Sequence, residues 1–211
     1  MKFKVIGLLI LALIIIILFN YQNKEEQEEI MSLEVSTQKT AVIAIAFQGF
    51  QDFEYSETRQ VLEDAGIETI VASSLKGEAQ GKLGQKVTVD MIVDEVVPED
   101  FDALVFIGGP GALEYVDNLS VHQLIQQAVN KDKVLAAICI APEILAKAGV
   151  LKEKKATVWS SSIDQSPIEF LKNEGAEYVE KPVVVDGKIV TGDGPEAATE
   201  FGQKIVEVLK Q

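Results

Sequence analysis

Two short runs, Ala103–Ile107 and Val134–Ile138, contain only apolar residues. Neither run alternates apolar with polar positions, so both faces of each run must be covered by other parts of the protein. Strands of this kind are typical of a parallel sheet that lies between two layers of helices. This feature constrains the fold most, and it predicts an α/β protein.

Further apolar runs alternate with helical patterns along the chain. We predict strands at Thr40–Ala46, Ile67–Ser73, Ala103–Ile107 and Val134–Ile138, and hairpins around Val87–Val93 and at Asp186-Gly187. We predict helices at Phe53–Ala65, Ser120–Asn130, Pro142–Ala148 and Pro195–Leu209. Together these elements predict a doubly wound α/β sandwich with a mostly parallel central sheet.

The N-terminal residues have the charge order of an export or anchoring signal. Lys2 and Lys4 precede the apolar run Val5–Phe19, and no small-x-small cleavage site follows it. We therefore predict a signal anchor over residues 1–21, with the protein a single-pass membrane protein whose domain lies outside the cytoplasm. Secretion after signal cleavage is the alternative. Residues 22–38 are predicted to be a polar, acidic linker, and residues 39–211 the folded domain.

Composition excludes several classes of protein. The net charge of −14 would repel phosphate backbones, so we expect no nucleic-acid partner. The single cysteine cannot form an intramolecular disulfide. One histidine and one cysteine are too few for a typical zinc site, so we expect no metal and no other cofactor.

The single cysteine, Cys139, follows an apolar strand and precedes the helix that begins near Pro142 with almost no loop between them. Such a tight turn resembles a nucleophile elbow, which presents the side chain above the sheet. The N–H groups at the start of the following helix favour negative charge, so we expect the pKa of this thiol to fall below its ordinary value. An inert, buried thiol is the competing interpretation.

The string AAICIAPEILAKAGVL over residues 136–151 resembles the nucleophile region of the ThiJ/PfpI family. Three more motifs occur in the family's order: an acidic first helix containing Glu54, the glycine loop Gly108–Gly111, and a late turn at Gly194-Pro195. The resemblance implies a flavodoxin-like, class I glutamine amidotransferase-like sandwich. Family members are often dimeric, so a homodimer is one expectation.

The resemblance also implies roles for individual residues. Cys139 matches the nucleophile, and Glu54 matches a buried carboxyl group that hydrogen-bonds the sulfur and acts as acid or base. Backbone N–H groups in the Gly108-Gly109 loop and at Ile140 match an oxyanion or substrate site. Pro195 lies in the late turn that borders this site, and Trp159 either walls the pocket or covers the core.

The chain departs from the protease-like members of the family at one position. Those members place a histidine directly after the cysteine, whereas this chain has Ile140, which cannot shuttle a proton. The only histidine, His122, is predicted to lie on the surface of a helix. A Cys-His dyad cannot form, so peptidase activity by the usual route is not expected.

The resemblance therefore implies one of two functions. The first is an enzyme of the glyoxalase III or deglycase kind, which acts on a small reactive carbonyl compound without a cofactor. The second is a noncatalytic redox-sensing or chaperone-like module, in which Cys139 is oxidised. Besides the carbonyl compound, the partners expected are the membrane, through the N-terminal helix, and a second copy of the chain.

Overall fold

The computed structural model describes residues 17–25, 27 and 38–211. Residues 39–211 form one compact unit, separate from residues 1–38. Its strands are β1 (Thr40–Ala44), β2 (Gln48–Phe50), β3 (Glu68–Ser73), β4 (Gly77–Gly81), β5 (Lys86–Val89), β6 (Met91–Ile92), β7 (Ala103–Phe106), β8 (Val134–Ile138), β9 (Lys155–Ala156), β10 (Glu177–Tyr178), β11 (Val183–Asp186) and β12 (Ile189–Gly192). Its α-helices are α1 (Asp52–Asp64), α2 (Leu119–Asn130), α3 (Pro142–Lys147), α4 (Ser166–Asn173) and α5 (Ala198–Leu209).

The central sheet has the strand order β11-β12-β8-β7-β1-β3-β6. All its neighbouring strands pair in parallel, except that the edge strand β11 is antiparallel to β12. This arrangement confirms the predicted α/β sandwich with a mostly parallel sheet. The uniformly apolar runs form β7 and β8, which lie in the interior of the sheet and are buried on both faces.

Successive side chains of the central strands point to opposite faces and build two separate cores. Val42 and Leu104 pack beneath α2 and α3 on one face. Ile43 and Val105 pack beneath α1 and α5 on the other face. Fully burying a side chain of this size contributes about 1.5–3 kcal/mol, which explains why β7 and β8 contain no polar position.

The hairpin predicted around Val87–Val93 is wrong. Strand β5 instead pairs antiparallel with β4, in a small sheet that also contains β2, whereas β6 pairs in parallel with β3 of the central sheet. Asp90 separates the two strands because it bonds to Val71 of β3 in both directions. Its N–H donates to the Val71 carbonyl at 2.9 Å, and its carboxylate accepts from the Val71 N–H at 2.8 Å.

The hairpin predicted at Asp186-Gly187 is confirmed and joins β11 to β12. Gly187 has φ of 61°, in the left-handed region that glycine adopts without strain. Strand β12 then runs parallel to β8, with Gly192 in register with Ile138. This pairing brings the late turn at Gly194-Pro195 to the carboxyl end of β8, where Cys139 follows.

The N-terminal anchor predicted over residues 1–21 needs correction. Residues 17–25 are helical and include the polar residues Asn20 and Lys24. Across the described ranges, no helix combines the length and the apolar character required for a membrane span. The predicted single-pass membrane localisation is therefore contradicted. Residues 1–16 of that segment, and most of the linker predicted at 22–38, lie outside the described residues.

Candidate active site

Cys139 occupies the turn between β8 and α3 in a left-handed conformation, with φ of 63°. The left-handed conformation costs a residue with a side chain about 1–2 kcal/mol of conformational free energy, so interactions with neighbouring residues must hold Cys139 there. Two backbone hydrogen bonds do so. The Cys139 N–H donates to the carbonyl of Gly192 at 2.9 Å, and the Cys139 carbonyl accepts from the N–H of Trp159 at 2.8 Å.

Glu54 lies in the first turn of α1 and is fully buried. Its Oε2 accepts a hydrogen bond from the N–H of Gly108 at 3.0 Å. Within the described part of the chain, its buried Oε1 has no hydrogen-bond partner, and the thiol of Cys139 is the side chain that interacts with this carboxyl group. A buried carboxyl group that faces a thiol is suited to exchanging a proton with it.

Gly108 separates the two groups and must be glycine. A Cβ at this position would lie 2.5 Å from the Cβ of Cys139 and 2.8 Å from Oε2 of Glu54. Both separations are far shorter than any normal contact, so only a residue without a side chain lets Glu54 approach Cys139.

Gln51 fixes the position of Glu54 at the start of α1. Its side chain accepts a hydrogen bond from the Glu54 N–H at 2.8 Å and so caps the helix. Its own N–H donates to the carbonyl of Gly108 at 2.9 Å. Gln51 therefore caps α1 and also links the start of this helix to the glycine loop.

Burial raises the pKa of Glu54 to about 7. The hydrogen bond with Cys139, the Gly108 N–H and the charge of Lys82 all act in the opposite direction, but they are weaker than the loss of solvent. Near neutral pH this carboxyl group therefore exists in both protonation states. It can accept a proton and return it during a reaction.

The expected lowering of the Cys139 pKa is wrong for this arrangement. Burial, together with the charge of the Glu54 carboxylate, raises the pKa of Cys139 to about 12. The N–H groups of Gly109 and Ile140 do hydrogen-bond the sulfur and favour the thiolate, as the turn predicted. They are outweighed because the sulfur lies in a dry site beside a second ionisable group.

Because both N–H groups interact with the sulfur, they are close to the place where an oxygen of a substrate bound to it would gain negative charge. Gly109 supplies its N–H from a conformation with φ of 99°, and a Cβ there would lie 2.4 Å from the carbonyl oxygen of Gly49. The glycine loop is therefore packed directly against the chain that follows β1.

A cavity of about 500 Å³ opens above Cys139. Four of the other residues predicted for the site line it: Gly109, Ile140, Trp159 and Pro195. Glu54 and Gly108 are fully or almost fully covered beside the sulfur. The structure thus brings together the residues named from the sequence, and Trp159 forms part of the cavity wall.

Several residues that line this cavity were not predicted from the sequence, among them Gln51, Lys82, Glu143 and Asp164. Glu143 could have been found, because it lies in the first turn of the helix that begins directly after the turn at Cys139. Lys82 carried no signal, since its position depends on the turn between β4 and β5.

Asp52, the first residue of α1, is buried and holds the turn that carries Lys82. Its carboxylate accepts from the N–H groups of Leu83 at 2.9 Å and Gln85 at 2.8 Å.

His122 lies on α2 and does not line the cavity. It is half-buried rather than fully on the surface, and its Nε2 lies 2.7 Å from the carbonyl oxygen of Val116. Over residues 17–25, 27 and 38–211, no three His, Cys, Asp or Glu side chains are grouped closely enough to hold a metal ion.

A sequence profile of the DJ-1/PfpI family matches residues 39–208, from β1 to the last turn of α5. The chain belongs to this family. Among DJ-1/PfpI relatives, an uncharacterized protein of Methanocaldococcus jannaschii is 37% identical and is aligned over 100% of this chain and 98% of its own length. A protein of Thermococcus kodakarensis named as a deglycase is 34% identical over 80% of this chain and 99% of its own.

Solved structures give the same result for the DJ-1/PfpI fold. The crystal structure of a ThiJ/PfpI domain protein from Brachyspira murdochii superimposes with a TM-score of 0.77 and is 32% identical. The match covers 82% of this chain and 98% of that one.

Proposed function

We propose that this protein is a cysteine-dependent enzyme of the glyoxalase III or deglycase kind, which acts on small reactive carbonyl compounds such as 2-oxoaldehydes. The observation that carries the proposal is the Cys139–Glu54 pair beside a cavity that Gly109 and Ile140 also line, with the N–H groups of both residues bonded to the sulfur. The relative from Thermococcus kodakarensis named as a deglycase supports the same class of chemistry.

In the first step, the sulfur of Cys139 attacks the aldehyde carbon and forms a hemithioacetal. Because the pKa of Cys139 is about 12, little free thiolate exists at neutral pH. The Glu54 carboxylate, with a pKa of about 7, takes the thiol proton as the carbon–sulfur bond forms. The N–H groups of Gly109 and Ile140 hold the developing negative charge on the oxygen.

The proton that Glu54 took from the thiol passes to the hemithioacetal oxygen, which restores the Glu54 carboxylate. In the second step, this carboxylate moves the proton of the former aldehyde carbon to the neighbouring carbonyl carbon, while the hydroxyl proton of the hemithioacetal moves to the neighbouring oxygen. One carbon is oxidised and the other reduced, so the product is a thioester of a 2-hydroxy acid and no external electron acceptor takes part. Water then cleaves the thioester, which releases the acid and restores the thiol. The overall reaction adds one water molecule to the substrate.

The test is to incubate the purified full chain with methylglyoxal and to measure lactate. We expect Cys139→Ala to abolish lactate formation and Glu54→Gln to lower its rate by about 10²–10⁴-fold, the usual effect of losing a general acid or base. Glu169→Gln is the matched control, because it removes an exposed carboxylate outside the cavity. The absence of any Cys139-dependent lactate would rule the proposal out.

A redox-responsive thiol is the second candidate function. The observation that favours it is that the chain's only histidine does not line the cavity, so no histidine assists Glu54 at the sulfur. The amides of Gly109 and Ile140 could hold the oxygens of an oxidised sulfur. Mild peroxide should then add two oxygens to Cys139 by mass spectrometry, while a chain with this function would form no lactate.

A further inference from the structure

Glu143 takes no part in the reaction steps proposed above, although burial makes its charged form unfavourable. It lies in the first turn of α3, is nine-tenths buried and lines the cavity that contains Cys139. No hydrogen bond or ion pair to its carboxyl group occurs within the described ranges of the chain. The carboxyl group belongs to the cavity wall, so a group that enters the cavity can reach it. A carboxylate largely withdrawn from bulk solvent favours a hydrogen-bond donor or a positive charge at that place.

Two neighbours define what this ligand would meet. Asp164, at the rim of the same cavity, keeps a fixed orientation because its Oδ1 accepts from the N–H of Ser166 at 3.0 Å and from the Ser166 hydroxyl at 2.6 Å. Trp159 forms part of the wall, and among described residues no cation lies over its ring. Two carboxyl groups beside an indole ring form an environment that favours a positive charge.

We propose that Glu143 and Asp164 form a subsite for a positively charged ammonium or guanidinium group of the substrate. This proposal rests on the proposed function and specifies the class of substrate. Carbonyl compounds that carry a positive charge are bound in preference to neutral or anionic carbonyl compounds. The cation lies between the two carboxyl groups and against Trp159, while the carbonyl carbon faces the sulfur of Cys139.

The electrostatics of the cavity agree with this assignment. Burial, and then the charge of Asp164, raise the pKa of Glu143 to about 7. The other titratable groups at the cavity are Lys82, whose charge acts on Glu54, and the Cys139–Glu54 pair itself. A bound cation would stabilise the Glu143 carboxylate and release its proton, so cation binding should strengthen as the pH rises from about 6 to 8.

The test uses reagents that modify Cys139 and differ in charge. Trimethylammonioethyl methanethiosulfonate is cationic and sulfonatoethyl methanethiosulfonate is anionic. With each, the sulfur displaces methanesulfinate and forms a mixed disulfide. Cys139 is the only cysteine in the chain, so the rate of modification reports on this cavity alone. The quantity measured is the ratio of the cationic to the anionic rate constant at physiological ionic strength, at pH 6 and at pH 8.

In the unaltered chain we expect this ratio to be higher at pH 8 than at pH 6. At pH 8, Glu143→Gln should lower it by about fivefold or more, since one charge is removed from a poorly screened site. Asp164→Asn should lower it by a smaller factor because that carboxylate is exposed. Glu169→Gln changes the net charge by the same amount outside the cavity, and it should leave the ratio unchanged.

An equal ratio in the unaltered chain, Glu143→Gln and Asp164→Asn would overturn the subsite. Asp164 is exposed, so its variant keeps the test valid even if Glu143→Gln does not fold. The result is independent of turnover, because modification needs no lactate formation. A chain that shows the charge preference but makes no lactate would refute the proposed enzyme and leave the subsite standing.

Discussion

Glu54 interacts with Cys139 beside Gly108, whose lack of a side chain leaves the space in which the two groups meet. The protonation of each group therefore depends on the other. A charge on the carboxyl group opposes a charge on the sulfur, while the same carboxylate is the nearest base for the thiol proton. The pair consequently has to be studied as one unit.

Replacing Glu54 should separate its two effects on the sulfur. In Glu54→Gln, we expect the pKa of Cys139 to fall from about 12, because the like charge beside the thiol is gone. Turnover should fall at the same time, because the base is gone too. Ultraviolet absorbance of the thiolate during a pH titration measures the first effect. A Cys139 pKa that stays the same or rises in this variant would contradict the coupling described above.

The pH dependence of activity should follow Glu54. The carboxylate is the form that takes the thiol proton, so kcat/KM should rise with pH through the pKa of about 7 and level off above it. In Glu54→Gln this ascending limb should disappear, leaving only the slow rise that accompanies direct ionisation of the thiol. Initial rates of lactate formation in buffers of constant ionic strength test this. An unchanged limb in Glu54→Gln would assign it to another group.

Adding one methyl group at Gly108 should inactivate the site. In Gly108→Ala the new Cβ would overlap the Cys139 Cβ and the Glu54 carboxylate, so one of them must move. We expect a loss of stability of about 1–3 kcal/mol, typical of overpacking, and loss of lactate formation. Gly187→Ala is the control, because a Cβ there meets no atom within 4 Å. It should keep full activity and lose only about 1 kcal/mol from its left-handed conformation. Denaturant unfolding and the lactate assay measure both.

Stability should fall as the pH rises through neutrality. The pKa of Glu54 is about 7 in the folded chain against an ordinary value of 4.5, so the folded state binds this proton more tightly than the unfolded state. Its contribution is fully present below about pH 4.5 and is lost as the pH rises through about 7. The shift corresponds to roughly 3 kcal/mol.

Chemical unfolding at pH 5 and pH 8 measures this effect. Glu54→Gln should lose less stability between the two pH values than the unaltered chain does. The buried Glu143 adds a loss of the same sign in both proteins, so the difference between them isolates Glu54. Identical pH dependence in the two proteins would show that Glu54 is not perturbed in solution.

The fold could be predicted where a single physical effect dominates. Strands β7 and β8 were evident because burial on both faces leaves no room for a polar residue. Strand β4, with the sequence GEAQG, was missed because its alanine and glycine residues carry little strand propensity. Its place is set by pairing with β5, a contact that no local pattern reveals.

The candidate site shows the same division. Its position could be predicted, because an apolar strand that runs directly into a helix must turn at Cys139. The shift in the pKa of that thiol could not be predicted, because its direction depends on how close Glu54 lies to the sulfur and on how deeply the sulfur is buried. Glu143 was overlooked for a related reason: spacing placed it near the sulfur, but only the folded chain shows that it has no partner.

The turn at Cys139 owes its shape to main-chain bonds with Gly192 and Trp159, and none of these bonds involves the sulfur. The conformation of the backbone at this turn therefore does not depend on which atom the side chain carries. Selenium in place of the sulfur would be presented in the same orientation, with a far more acidic hydrogen, and a new catalyst could be made at this position without redesign of the surrounding protein.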